Sequence, residues 1–307
     1  RLAHEKLTFL GTINREFDAS FRPGYGNAIR IRIPSQYTTR TGRVMDVQDG
    51  VQQSTALTVA TQWGVDMRYN SQEMAQDLVN FQKLHLEPAM AELVAMVENA
   101  CISSATQATF NLVGVANSAL TTLRYPGTAR GRLNQNLAPK TGGGRALQLD
   151  SITMARLVDA FSNFNNPTQE ISEQYREGFI ARTAMADFYE NEKVWNMTNV
   201  DDTSCNICTY TIVEGDVDIS VSGTGLTPTA GMVFTIGHQS SVTGRVHACH
   251  PETKAAYPHM AQFTLVSTRD TSTLEFQPPI RITGARKNVC RSDGTDIIVS
   301  SLTSMLI

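Results

Sequence analysis

Hydrophobic and polar positions follow one continuous pattern between residues 27 and 105. It opens with strict alternation, Asn27-Ala28-Ile29-Arg30-Ile31-Arg32-Ile33-Pro34, which puts the isoleucines on one face and the arginines on the other. That is the period of a half-buried β-strand. A polar, charged stretch runs from Thr38 to Gly50, and residues 54–67 return as a second strand alternating through Leu57, Val59 and Thr61. Together they predict a long hairpin. Pro34 ends the regular ladder or marks an edge, and the like charges of Arg30 and Arg32 guard an exposed face against indiscriminate pairing. A hairpin alone is marginal in water, so this ribbon is expected to gain stability by lying on another element or another subunit.

Past the ribbon the period changes. Met74, Leu78, Phe81 and Leu84 recur at helical spacing, with Asn70 or Ser71 available to cap and Glu73 suited to the positive end of the dipole. After Pro88 the stripe resumes as Met90, Leu93, Val94 and Val97. Pro88 is expected to bend this helix or divide it in two; the whole would span about 45 Å. Residues 1–26 read as a helical arm already under way at Arg1, with Leu2, Leu7, Phe9, Leu10 and Ile13 apolar, broken by Phe21-Arg22-Pro23-Gly24-Tyr25-Gly26. Residues 105–120 fit strand or helix, Tyr125-Pro126-Gly127 reads as a turn, and 134–144 as a connector. Asp150 caps a second amphipathic helix carrying Met154, Leu157, Val158 and Phe161, and a third, shorter helix is expected over 170–179. Beyond Trp195 the pattern turns to short strands over 209–213, 217–222, 232–237, 262–267 and 273–276, with turns at 223–225 and 278–279, the signature of a small barrel or sandwich.

Composition narrows the class. The 307 residues are 41% hydrophobic but only 18% charged, below the roughly 25% usual for soluble domains. That shortfall fits a surface covered by neighbours, or an ordinary domain with a Ser/Thr/Asn-rich surface. A net charge of −3 argues against a protein wrapped on nucleic acid. No run reaches the length of a membrane span, and no signal-peptide stretch opens the chain. Five irregularly spaced cysteines favour reduced thiols in a cytosol. Cys205-Asn206-Ile207-Cys208 with His247-Ala248-Cys249-His250 leaves open a structural zinc site, a redox dithiol or unligated thiols. The second half lacks the usual zinc-knuckle spacing, because adjacent Cys249 and His250 point to opposite faces of a strand. Gly142-Gly143-Gly144-Arg145 lacks the Lys and Ser/Thr of a phosphate loop. Asp201-Asp202 and Glu190/Glu192 read as solvated loop carboxylates. With no nucleophile elbow, His-Glu-x-x-His or dinucleotide fingerprint, the expectation is a protein that is not an enzyme and carries no cofactor.

Three stretches carry a family resemblance. Phe9-Leu10-Gly11-Thr12-Ile13-Asn14-Arg15-Glu16-Phe17-Asp18 with Ile29-Arg30-Ile31-Arg32-Ile33-Pro34 resembles the N-terminal arm and first ribbon strand of P22-like coat proteins, the major capsid proteins of tailed bacteriophages. Gly64-Val65-Asp66 and Leu86-Glu87-Pro88-Ala89-Met90-Ala91-Glu92-Leu93 resemble the ribbon end and long helix of that family. Gly231-Met232-Val233-Phe234-Thr235-Ile236, His250-Pro251-Glu252-Thr253-Lys254 and Gln262-Phe263-Thr264-Leu265-Val266 resemble its inserted β-domain.

The resemblance implies an α+β chain of HK97-like capsid fold with an additional small β-domain. Its parts would be an N-arm over 1–26, an E-loop ribbon over 27–69, the spine helix and peripheral domain over 70–144, and an axial domain over 145–208. Residues 209–307 would be the inserted β-rich domain or axial-domain strands, because family members return from the insertion with a further segment to complete the axial sheet. It further implies a coat protein of the virion capsid that assembles in the bacterial host cytoplasm into an icosahedral shell enclosing double-stranded DNA. The partners would be copies of itself in hexamers and pentamers, a scaffolding protein, a portal and a decoration protein. DNA would be met by non-specific contact only, with no membrane. The intersubunit residues would be Arg30, Arg32, Arg40, Arg43, Asp46 and Asp49 of the E-loop. The alternative is a β-domain virion component, a decoration or tail protein that binds a protein or glycan.

Overall fold

Beyond β1 (Ala28–Ile33) and β2 (Gln53–Thr58), the ribbon runs out from residue 34 to residue 52 without a regular strand. The computed structural model describes residues 8–17, 20–21, 26–68, 82–114, 120–139, 145–161, 186–195, 210–220, 229–237, 245–268, 273–294, 301–302 and 305–306. The chain falls into two units, Arg1–Ile102 and Ser103–Ile307.

In the first unit, β1 and β2 pair antiparallel, from Ala28 opposite Thr58 to Ile33 opposite Gln53. Burial alternates along β1 as the isoleucine–arginine pattern requires. The return strand is shorter than the 54–67 its composition implies: regular pairing ends at Thr58, and Leu57 and Val59 are exposed. No described residue faces 61–67 across a ladder, and propensity alone does not hold a strand without a partner. In the arm, the one α-helix among the described residues is α1 (Phe9–Thr12), which ends at an extended Ile13 before a turn at residues 16–17. The girder helix α2 spans Glu87–Gln107 and follows a π-helical turn at Gln82–Leu86. Pro88 sits just past the junction of the π-helical turn and α2, where the regular i to i−4 ladder is already interrupted. The expected helix start at 70–81 lies outside the described residues.

The second unit takes in the last turn of α2 and continues with α3 (Arg124–Gln135). This corrects the expected turn at Tyr125-Pro126-Gly127 and the connector start at Asn134, since a proline in the first turn opens a helix rather than breaking it. β3 (Ala146–Leu149) pairs in parallel with β4 (Asp187–Glu190), and α4 (Ser151–Phe161) begins the crossover such a pair requires. As its periodicity predicts, α4 buries Met154 and Leu157, here against Leu149 and Phe188. The expected helix over 170–179 lies outside the described residues.

The remaining strands are β5 (Tyr210–Thr211), β6 (Asp218–Ser220), β7 (Val233–Ile236), β8 (His247–Cys249), β9 (Ala256–Met260), β10 (Gln262–Thr268), β11 (Thr273–Gln277), β12 (Val289–Cys290), β13 (Ser301–Leu302) and β14 (Met305–Leu306). They form a five-stranded sheet ordered β14-β7-β10-β11-β6, a three-stranded sheet β12-β8-β9 and the pair β13-β5. Their shared core centres on Phe234, Phe263 and Phe276, with ring centroids 5.3–5.8 Å apart and mostly edge-to-face. Gln107, the last residue of α2 and part of the second unit, is held to this sheet within that unit. The Thr264 hydroxyl donates to Gln107 O at 3.0 Å, and Gly231 (φ +93°) lies so close that a Cβ there would stand 2.9 Å from the Gln107 side chain. No helix among the described residues is long and apolar enough to cross a membrane.

Candidate interaction surface

Ile29, Ile31 and Ile33 are half-buried, Arg30 and Arg32 face solvent, and the Arg30 Nε donates to Ser54 Oγ at 2.6 Å. Past Pro34 the contacts come from side chains. The Ser35 hydroxyl donates to Val51 O at 3.4 Å. Gln48 Oε1 accepts from the Thr38 N–H at 2.8 Å, and Gln48 Nε2 donates to Thr38 O at 2.8 Å. Tyr37 lies against Gly50, where a Cβ would come within 3.2 Å of its hydroxyl. At the tip the Arg40 guanidinium donates to Gly42 O, and Gly42 takes φ +108°, a conformation that favours glycine.

What the tip presents is apolar and charged together. Val44 is 85% exposed, Val47 79% and Met45 77%, and Tyr37, Val51, Trp63 and Val65 are exposed along the arm. Single exposed apolar residues are ordinary, but a contiguous run of them marks a surface that meets something. Arg30, Arg32, Arg40, Arg43, Asp46 and Asp49 are all exposed. Among the described residues none of them forms an ion pair; the described ion pair is Arg281–Glu214 at 3.6 Å, in the other unit. The expected E-loop residues therefore share one ribbon and form no ion pair among the described residues.

The anchor of the N-terminal arm, residues 1–26, is not visible in the sequence pattern. Glu98, fully buried on α2, accepts through Oε1 from the Thr8 N–H (3.0 Å), the Thr8 hydroxyl (3.1 Å) and the Phe9 N–H (2.8 Å). A buried carboxylate is tolerable only when hydrogen-bonded in this way. The available signal was an acid four residues after Val94 and four before Ile102, on the buried stripe of the helix.

Outside the ribbon, the structure assembles no obvious reaction centre among its described residues. The Cys249 thiol is pushed up by its hydrogen bond with Cys290 and then by burial, the opposite of an activated nucleophile. Burial lowers the Lys254 amine, whose Nζ donates to Pro251 O and Ala285 O, both at 2.6 Å. His247 Nδ1 lies 3.0 Å from Tyr257 O, and His259 stacks on Tyr257 with centroids 5.2 Å apart. Burial first, then the charges of Arg132 and His247, bring the His259 imidazole down to about 4. An open depression of about 540 Å³ on α4 is lined by Ser151, Ile152, Ala155, Arg156 and Asp159.

No group of three or more His, Cys, Asp or Glu among the described residues is placed to hold a metal. Cys205, Cys208, Asp201, Asp202 and residues 142–144 lie outside the described residues. Glu190 is in β4 rather than a loop. Glu192 is not merely solvated: it accepts from the Ser151 N–H (3.2 Å) and hydroxyl at the start of α4.

No protein-family model matches the chain, and no curated protein matches it. Among solved structures, a chain from Mycobacterium phage Che8 is similar in fold, with a TM-score of 0.50 and 15% sequence identity over 61% of this chain and 70% of that one. The chain thus has a mixed α+β fold with a structural counterpart in a phage.

Proposed function

We propose that this chain is a phage major capsid protein of HK97-like fold, and that the ribbon is its E-loop. It would function by self-association rather than catalysis, building the head shell around double-stranded DNA from hexamers and pentamers. The observation that carries this reading is a two-stranded arm with exposed Val44, Met45 and Val47 at its tip and no core of its own. A second copy of the chain would supply the missing core. The family-like phrases along the chain and the fold shared with the Mycobacterium phage Che8 chain support the same reading. Arg30, Arg32, Arg40, Arg43, Asp46 and Asp49 would then set register more than affinity, since exposed ion pairs contribute about 0–1 kcal/mol each. Repetition over many copies turns such weak contacts into a stable shell that can still correct its errors. Scaffolding, portal and decoration proteins are the partners this function calls for, the virion is its location, and DNA is met without sequence readout.

Deleting residues 44–50 tests the reading. The expected product is a folded subunit, by circular dichroism, that forms no closed shells by electron microscopy. Normal particles from the deletion would remove the ribbon from assembly. The β-rich unit, with a core of its own, favours a second reading, a decoration or tail component that binds a protein or glycan. A wild-type chain that stays a monomer or trimer by light scattering would favour that alternative.

A further inference from the structure

The ladder of the ribbon is symmetric about Arg43: Ala28 faces Thr58 and Ile33 faces Gln53. Regular backbone pairing stops there, yet both outer contacts keep the same symmetry. Ser35 reaches Val51, and Thr38 meets Gln48. Side chains therefore extend the register of the hairpin after its strands have ended. The outermost tie is the strongest of them. The Gln48 carboxamide accepts the Thr38 N–H and donates to the Thr38 carbonyl, both at 2.8 Å, so one side chain satisfies both backbone groups of Thr38. Burial agrees with this geometry. Between residues 36 and 53 every residue is exposed except Gln48, which is half-buried.

We propose that Gln48 is the positioning residue of the ribbon tip. It closes residues 39–47 into a loop of set length and direction, so that Arg40, Arg43, Val44, Met45, Asp46 and Val47 are presented to a second copy in one arrangement. Ordering that loop beforehand removes part of the entropy otherwise lost on association. The role in association rests on the self-assembly reading above; the tie itself does not.

The experiment has two readouts so that the two parts fail separately. The first is hydrogen exchange resolved to Thr38 and Ile31, in the wild type, Gln48→Ala and Gln48→Glu. Gln48→Ala should speed exchange at Thr38 about fivefold, the loss of one ordinary hydrogen bond, and leave Ile31 unchanged. Gln48→Glu should lie between, because it keeps the acceptor for the Thr38 N–H and loses the donor to the carbonyl. A Thr38 amide already unprotected in the wild type, or equal acceleration at Ile31, overturns the tie. The second readout is the half-time of light scattering during assembly at fixed subunit concentration, expected to lengthen several-fold in Gln48→Ala. An unchanged half-time beside faster Thr38 exchange overturns the role in association. A wild-type chain that never assembles overturns the self-assembly reading and that role with it, and exchange still decides the tie.

Discussion

The ribbon and the β-rich sheets are both built from short strands, yet they solve the problem of burial in opposite ways. The sheets fold onto a common core in which Phe263 and Phe276 are almost completely inaccessible and Phe234 packs edge-on against Phe276. In the first unit the buried side chains among the described residues are Glu98 and Ile102, neither of them on the ribbon. A strand pair whose apolar face is no more than half-buried gains little beyond its ladder and a few ties, which is marginal in water. The sheets collect their hydrophobic contribution within the chain, whereas no described residue of the ribbon is fully buried.

Substitutions can widen or erase this contrast. The largest effect is expected in the sheets. Phe276→Ala should cost about 3–5 kcal/mol, read as a lower denaturant midpoint for the β-rich unit, while exchange at Ile31 of the ribbon stays as it was. A loss under about 1 kcal/mol would mean that the aromatic cluster is not the keystone described. Next is the clamp on the N-terminal arm. Glu98→Ala removes the acceptor of three donors and should cost about 1–3 kcal/mol, seen first as faster exchange at Phe9. Protection at Phe9 that survives the substitution would sink the clamp.

Acid should weaken the β-rich unit through His259. His259 titrates near 4 when folded and near 6.5 when unfolded. The unfolded chain therefore takes up the proton first, so stability is full above about pH 6.5 and declines as pH falls toward 4. The imidazole is only partly buried, which moderates the size of the decline. His259→Gln should flatten this part of the pH profile of denaturant stability, and an identical slope in the variant would contradict it. The smallest effect belongs to the tip. Val44→Ser and Met45→Ser should change the stability of the isolated subunit by no more than about 0.5 kcal/mol. A larger loss by thermal unfolding would show that the tip rests on its own chain and end the contrast.

How much of this was legible in the sequence follows the range of each interaction. The alternation of Ile29, Ile31 and Ile33 with Arg30 and Arg32 reappears as alternating burial along β1, and the stripe through Met154 and Leu157 as the buried face of α4. Both are local patterns written in one element. The pattern predicts too long a return strand because Trp63 and Val65 have strand propensity but no described partner across a ladder. Tyr125-Pro126-Gly127 predicts a turn because the same residues that break a helix interior also begin one. β8 and β12, at two or three residues each, are too short for a period to declare itself. Glu98 and Gln48 were illegible for a different reason: their roles lie in partners brought near by the fold, Thr8 and Phe9 for one and Thr38 for the other. The exposed charges of the ribbon were visible from the start, but that they stand without ion partners among the described residues is a fact of three dimensions.

The symmetric ties along the ribbon carry an engineering consequence. Register is held by contacts at or inside the pair Thr38–Gln48, so chain length beyond that pair is free to vary without shifting any residue at the root. Doubling a flexible loop costs only about 0.6 kcal/mol in closure entropy. A foreign peptide placed between Gly42 and Arg43 would thus ride at the outermost point of the arm as a graft, with its host strands still in step.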